Sequence, residues 1–383
     1  MVISPPCHQP VNRAVYRELA GRHGIPVHLV VPRRLFVGSQ WRDTPRGDTA
    51  PYELTMLDLT GTHGRLQRLR GLEELAAQWQ PTHVLVDNDP ATLMTWQAAR
   101  TCPQAKLWAL TAENLTPRYL RDFAAGLKAM QPARMLGPLM VWALRLLVHP
   151  KMDRVFTLSR DGTRVMEAMG CSATQIPLGF DPALFCIQSS GRTAATRAKL
   201  GLTQPTIAYF GRLTPEKGVH LLLQSLAAMK DLPWQFLVDR FGDYATPYTE
   251  ELKALIADLG LADRVVYFDA KHDEMPDFMN AADIVVLPSV STPKWKEQYG
   301  RVMPEAMACG KVVVGSDSGA IPELIGSRGF VFPEGNTSAL ASLLRELLGH
   351  NERDDLGIKA SAYAHQALSI NRQATIWADL LKA

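Results

Sequence analysis

The chain has 383 residues, 46% of them hydrophobic and 21% charged, with a net charge of +3. That length exceeds one ordinary core and predicts two domains, and the composition is that of a globular protein rather than a disordered or fibrous one. The small net charge conceals an asymmetry: residues 1–180 hold 21 Lys and Arg against 14 Asp and Glu, and the remainder 20 against 24. A basic first half suits an anionic acceptor or an anionic membrane surface, or is merely an unevenly solvated surface. The basic residues are not interleaved with aromatics, so no nucleic-acid partner is expected.

The chain opens MVISPP, with neither a basic leader nor an apolar stretch behind it, so no signal peptide is expected. VISPP reads as a strand, followed by a helix from about Val11 to Arg22 and then by the strands IPVHLVVP and YELTMLDL. A basic, Gly-containing stretch from His63 to Gly71 comes next, and HVLVDN, KLWALTA and RVFTLS are further strands. The near-apolar run MLGPLMVWALRLLV at 135–148 is short for a bilayer and contains Arg145. The basic segment from Arg118 to Arg154, with Trp142 in it, leaves two readings open: contact with lipid or a lipid-linked acceptor, or a helix packed on its own domain. ATQIPLGFDPALF closes a first domain, residues 1–187, and the polar, small-residue run 188–197 reads as a linker. The same rhythm restarts over 198–365: strands TIAYFG, WQFLVD, VVYFDA, DIVVLPS and KVVVGS, with a helix from Glu216 to Met229 after the first. Continuous Val/Ile/Leu runs mark parallel strands covered on both faces. The expected class is α/β: two Rossmann-like doubly wound domains facing a cleft, with an amphipathic helix over 366–383 that crosses back or does not. Cys7, Cys102, Cys171, Cys186 and Cys309 are scattered and form no CxxC, as expected of unpaired thiols in a reducing compartment.

The chemistry concentrates in the second half. A strand ends at Gly211, where a missing side chain lets a ligand approach the backbone, and Arg212 and Lys217 follow. A guanidinium fork and a mobile ammonium can hold a diphosphate and offset charge growing on it as a glycosidic bond breaks. In KEQYGRVMPEAMACG, Glu297 and Glu305 stand eight residues apart. Tyr299 and Gly300 lie between them, and Gly300 lets the chain turn into a helix whose first N–H groups, around Gly300, Arg301, Val302 and Met303, favour an anion. Two carboxylates can each accept hydroxyl hydrogen bonds from a sugar or ribose, or serve as general acid and base.

YFGRLTPEKGVHLLLQSL, FMNAADIVVLPS and KEQYGRVMPEAMACGKVVVGSDSGAIPELIG, in that order, resemble the retaining glycosyltransferases of family 4, of GT-B architecture, over about residues 205–345. Glu297 and Glu305 match that family's E-x7-E motif, and QIPLGFDPALF is similar to the segment ending its first domain. The resemblance implies a retaining transferase that moves a hexose from a UDP- or GDP-sugar to a hydroxyl of a glycan or lipid-linked acceptor, with no cofactor or catalytic metal. It implies that the second domain takes the donor, Arg212 and Lys217 its diphosphate, Glu297 its sugar hydroxyls and Glu305 its ribose, while the first domain takes the acceptor in the cytoplasm or at the inner face of the membrane. Asp87, Asn88 and Asp89 mimic a metal motif but sit in the acceptor half. The chain departs from the family's pattern at Ala112, Glu113 and Asn114, where many relatives carry a His–Asp pair, at Leu178, and at Asp239, Arg240 and Gly242. His8, Glu113 and Asn114 are the candidates on the acceptor side. An epimerase or hydrolase on the same scaffold and a non-catalytic nucleotide-sugar sensor are the competing readings, separated by sugar transfer, free sugar or tight binding without turnover.

Overall fold

A computed structural model describes all residues except 38–39, 48–49, 62–63, 118–122, 125–126, 131, 240–245, 351 and 383. His63, Arg118, Arg240 and Gly242, singled out above, lie outside the described residues. The chain divides into two compact units, Met1–Pro177 with Ile370–Ala383, and Leu178–Ser369.

The first unit is built on a seven-stranded parallel sheet. In chain order its strands are β1 (Val2–Ile3), β2 (His28–Pro32), β5 (Glu53–Leu57), β8 (His83–Asp87), β9 (Lys106–Thr111), β10 (Arg154–Thr157) and β11 (Ala173–Gln175). Two antiparallel pairs sit outside it, β3 (Arg34–Val37) with β4 (Gln40–Asp43) and β6 (Leu59–Thr60) with β7 (Arg68–Leu69). The spatial order is β11-β10-β9-β8-β1-β2-β5. The chain winds outward from β1 to one side and from β8 to the other, so the strand order reverses between β1 and β8. Such a reversal opens a crevice at the carboxyl ends of the two strands, where open α/β sheets bind ligands. Ile3, Val30, Val84, Val86, Ala109 and Phe156 are fully buried, as continuous apolar strands covered on both faces require. The helix Ile370–Lys382 belongs to this unit: Trp377 packs edge-on against Phe156 and stacks on Trp108.

The second unit carries a six-stranded parallel sheet, β14-β13-β12-β15-β16-β17. Its strands are β12 (Thr206–Tyr209), β13 (Gln235–Asp239), β14 (Val265–Phe268), β15 (Ile284–Leu287), β16 (Val312–Ser316) and β17 (Phe330–Phe332). Its order reverses between β12 and β15.

The run 188–197 is not a linker. Ser190–Leu200 is an α-helix inside the second unit. Its Ser and Gly imitate linker composition, but Ser189 caps the helix by accepting from the Arg192 N–H, and Gly201 ends it in the left-handed conformation at φ 67°. Arg197 ties the helix down by donating to the carbonyls of Ala281 and Gln204, both at 2.7 Å. The helix expected over Glu216 to Met229 is also divided: Pro215–Lys217 is a single 3-10 turn, and the α-helix proper is Val219–Ala227. All five cysteines are free thiols, four of them buried.

In the first unit the helix Pro132–Val148 buries Leu144 and Val148 but leaves Leu136, Leu139, Trp142, Leu146 and Leu147 between 43% and 64% exposed. Packing on its own domain therefore accounts for only one side of this helix. Among the described residues no helix is long and apolar enough to cross a membrane.

Candidate functional site

In the second unit, the two loops that leave the reversal point carry the candidate donor residues. β12 runs into Gly211, whose φ of 145° suits only glycine. Tyr209, fully buried, donates its hydroxyl to the Arg212 carbonyl at 2.7 Å and fixes the turn. The Arg212 side chain is exposed and makes no ion pair among the described residues. The 3-10 turn ends at Gly218 (φ 69°), where an added Cβ would lie 1.9 Å from the Pro288 carbonyl oxygen of the loop after β15. The Val290 N–H donates to the Glu216 carbonyl at 2.8 Å and joins the two loops. Only glycine permits this approach, so Gly218→Ala is expected to force the loops apart. It should cost about 2 kcal/mol or more, read as a lower denaturation midpoint, with nucleotide binding lost in parallel.

That junction brings Lys217 to Glu297 across eighty positions of sequence. Lys217 Nζ is 2.7 Å from Glu297 Oε2, and Ser289 Oγ donates to the same oxygen at 2.8 Å. Lys217 also lies 5.1 Å over the Trp295 ring, a cation–π contact from the Lys294–Lys296 loop. Glu297 is only 5% exposed. Its backbone is held by a third loop: the Ala320 N–H donates to the Glu297 carbonyl at 3.0 Å, and a Cβ on Gly319 would come within 2.0 Å of that oxygen. A buried carboxylate fixed from three loops and bonded to an ammonium is preorganised.

Glu305 lies within the short helix Val302–Ala308, 7% exposed. Burial pushes its carboxyl up to about 7, the Arg301 guanidinium 3.2 Å away opposing the shift. Gly300 (φ 79°) makes the turn before the helix, with Leu287 3.0 Å from where its Cβ would be. Tyr299 beside it is buried, which pushes its phenol well above the usual range. One expectation is corrected here. The Met303 N–H donates to the Gly300 carbonyl at 2.8 Å and is not free for an anion, because the chain tightens into the helix one residue early.

In the first unit the acceptor-side candidates also follow the carboxyl ends of strands. His8 closes the 3-10 turn Pro5–His8 after β1. It is buried, its pKa lowered chiefly by that burial, and its Nε2 lies 3.0 Å from Gln9 Nε2. The buried Arg13 holds this turn to a neighbouring loop by donating to the carbonyls of Cys7, Pro45 and Arg46. Asp87, at the end of β8, accepts from Ser4 Oγ at 2.7 Å, and burial raises its pKa to about 6. Asp89 pairs with Arg65 at 2.7 Å, and Glu113 stands 3.8 Å from the same guanidinium. Glu113 also accepts from the Leu115 N–H at 3.1 Å, and Asn114 is buried next to it. Among the described residues no three His, Cys, Asp or Glu side chains cluster as metal ligands would. Sequence reasoning missed Ser289, Arg65 and Ser318, whose Oγ accepts from the Glu297 N–H at 3.4 Å. Ser289 stood in the quoted DIVVLPS, where a serine directly after a buried strand was the available signal.

Residues 204–350 match the family model for glycosyl transferases group 1. The D-inositol 3-phosphate glycosyltransferase of Mycolicibacterium vanbaalenii is 29% identical over 289 residues, covering 70% of this chain and 58% of that protein. The chain spans about half the length of the curated relatives it matches. Among solved structures, Anabaena Alr3699/HepE in complex with UDP superposes with a TM-score of 0.72 at 20% identity, covering 100% of this chain and 99% of that one. The sucrose-phosphate synthase of Thermosynechococcus elongatus gives a TM-score of 0.72 at 18% identity, covering 100% and 98%. The chain therefore has the GT-B fold, two Rossmann-like α/β domains in one polypeptide.

Proposed function

We propose that this chain is a retaining glycosyltransferase of the family 4 type, moving a hexose from a UDP- or GDP-sugar to a hydroxyl of a glycan or lipid-linked acceptor. The observation that carries the reading is the buried Lys217–Glu297 pair at the strand reversal of the second unit, beside the exposed Arg212. The group 1 transferase match over the same unit and the UDP bound by the Anabaena relative support it.

In this mechanism Arg212 and Lys217 take the donor diphosphate, Glu297 orients sugar hydroxyls and Glu305 receives the ribose hydroxyls. The bond from the anomeric carbon to the phosphate oxygen breaks, and its electrons leave with the diphosphate, whose charge the two cations offset. The acceptor oxygen bonds to the same face of that carbon, and its proton passes to the departing phosphate oxygen. The carboxylates bind and position, and no covalent intermediate forms. The acceptor is assigned to the first unit, near His8, Glu113 and Asn114. The exposed apolar side of Pro132–Val148, in the basic half of the chain, is assigned to a peripheral membrane surface on the cytoplasmic side.

The test is a product assay with a panel of UDP- and GDP-sugars, in which mass spectrometry reports a sugar added to an acceptor and NMR reports its anomeric configuration. Free sugar, a rearranged sugar or inverted product overturns the proposal. Arg212→Ala should weaken nucleoside-diphosphate binding about tenfold or more and leave nucleoside binding unchanged, since only the charge-assisted phosphate contact is lost. Titration calorimetry separates the two.

A further inference from the structure

The loop that delivers Glu297 contains a smaller turn of its own. Thr292 and Trp295 bracket Pro293 and Lys294: the Thr292 N–H donates to the Trp295 carbonyl at 2.6 Å, and the Trp295 N–H donates to the Thr292 carbonyl at 3.3 Å. Pro293 fixes φ inside the turn. The turn is anchored upstream, where the Ser291 N–H donates to Glu334 Oε2 at 2.8 Å and Ser291 Oγ meets Ser318 Oγ at 2.9 Å, and downstream by the buried Glu297. The Trp295 ring is therefore carried on a fixed frame, although it is only half-buried and lies outside the apolar core.

What this ring meets is the Lys217 ammonium, 5.1 Å from its centroid and within the reach of a cation–π contact. Lys294 and Lys296, its neighbours in the turn, carry the same sign as Lys217, so the attraction comes from the ring and not from the charges beside it. An ammonium on a flexible four-carbon stem has three N–H donors. Glu297 Oε2 takes one at 2.7 Å, which sets a distance but leaves the stem free to swing about that bond. The ring face takes a second, and two fixed directions on a tetrahedral nitrogen determine the third.

We propose that Trp295 is a positioning residue for the donor diphosphate: its ring face holds the Lys217 ammonium against Glu297, so that the remaining N–H is preset for a phosphate oxygen. The inference rests on the donor reading above and adds a residue to it. A purely structural tryptophan would instead cover the methylene stem of Lys217, a contact that any apolar side chain of similar size makes. Preorganisation lowers the ordering cost of binding, so its loss shows in affinity for the phosphate-bearing ligand and not for the nucleoside.

The test replaces Trp295 alone, in the full-length protein, with mono- through tetrafluorotryptophan. Fluorine withdraws charge from the ring face and leaves its shape and apolar contact nearly unchanged. Titration calorimetry with UDP and GDP should show the affinity of whichever the parent binds falling steadily with fluorine number, by about three- to tenfold across the series, while uridine or guanosine affinity stays flat. Trp295→Leu should lose at least as much, and Trp295→Phe should keep part of the affinity. In the Lys217→Met/Glu297→Gln background, which removes the ammonium without stranding a buried charge, the fluorine slope should vanish. A flat series in a parent that binds a nucleoside diphosphate overturns this proposal alone, as does a slope that persists without the ammonium. A parent that binds neither UDP nor GDP overturns the donor reading and this proposal with it.

Discussion

Lys217→Met is expected to destabilise the second unit by about 3 kcal/mol and to abolish sugar transfer together with it. The ammonium lies 2.7 Å from a carboxylate that is 5% exposed, and removing one member of a buried pair leaves the other's desolvation uncompensated. Glu297→Gln acts differently. The amide occupies the same space and can still accept from Ser289 and Lys217, so the ammonium loses its counter-charge but keeps a hydrogen bond, and the structural cost should be smaller, about 1–2 kcal/mol. Transfer should nevertheless fall by about two to three orders of magnitude if the carboxylate orients the donor sugar. The double variant Lys217→Met/Glu297→Gln recovers most of the lost stability and remains inactive. Urea denaturation with separate probes for the two units measures the first effect, since a two-unit chain need not unfold in one step. A product assay measures the second. Full transfer in Glu297→Gln would remove Glu297 from the mechanism, and an equal loss of stability in all three variants would remove the buried-pair argument.

Glu305 governs the second large effect, on pH. Its pKa is about 7 in the fold, raised by burial, against a reference value of 4.5. The folded state therefore holds the proton more tightly than the unfolded state. The stability this contributes is fully present below about pH 4.5 and is lost as pH rises through 7, amounting to about 3 kcal/mol. Glu305→Gln should match the parent protein near pH 5 and exceed it by up to about 3 kcal/mol at pH 8. If the ionised carboxylate grips a ribose, UDP affinity of the parent should rise between pH 6 and pH 8, and that slope should vanish in Glu305→Gln. Parallel stability curves for the two proteins from pH 5 to pH 8 would refute the burial argument.

The α/β class was legible because uninterrupted Val, Ile and Leu runs have one common use, a parallel strand covered on both sides. The order of the motifs also placed Lys217 and Glu297 in loops that follow two of those strands. Their contact was not legible: it depends on Gly218 lying against the Pro288 carbonyl, a close approach between loops that no local pattern encodes. Ser289 looked like the polar end of a strand, although it donates to the key carboxylate. The 188–197 run misled for a related reason, since Ser and Gly mean a linker by composition but a cap when followed by Ala, Thr and Arg. The Met303 N–H was misplaced because a tight turn consumes a donor that helix-end reasoning leaves open. In each case what was missed is a tertiary contact between segments distant in sequence, or the local geometry such a contact selects.

The helix Ile370–Lys382, which follows the second unit in the chain, seals the sheet of the unit before it. On the ribosome, the Trp108 and Phe156 surface has to wait for Trp377, with the whole second unit synthesised in between. Vectorial folding is thus inverted: the downstream unit can be complete while the upstream one still shows an open apolar flank. Maturation of the first unit is therefore paced by synthesis of the second, and that interval is when the nascent chain most needs shelter from association.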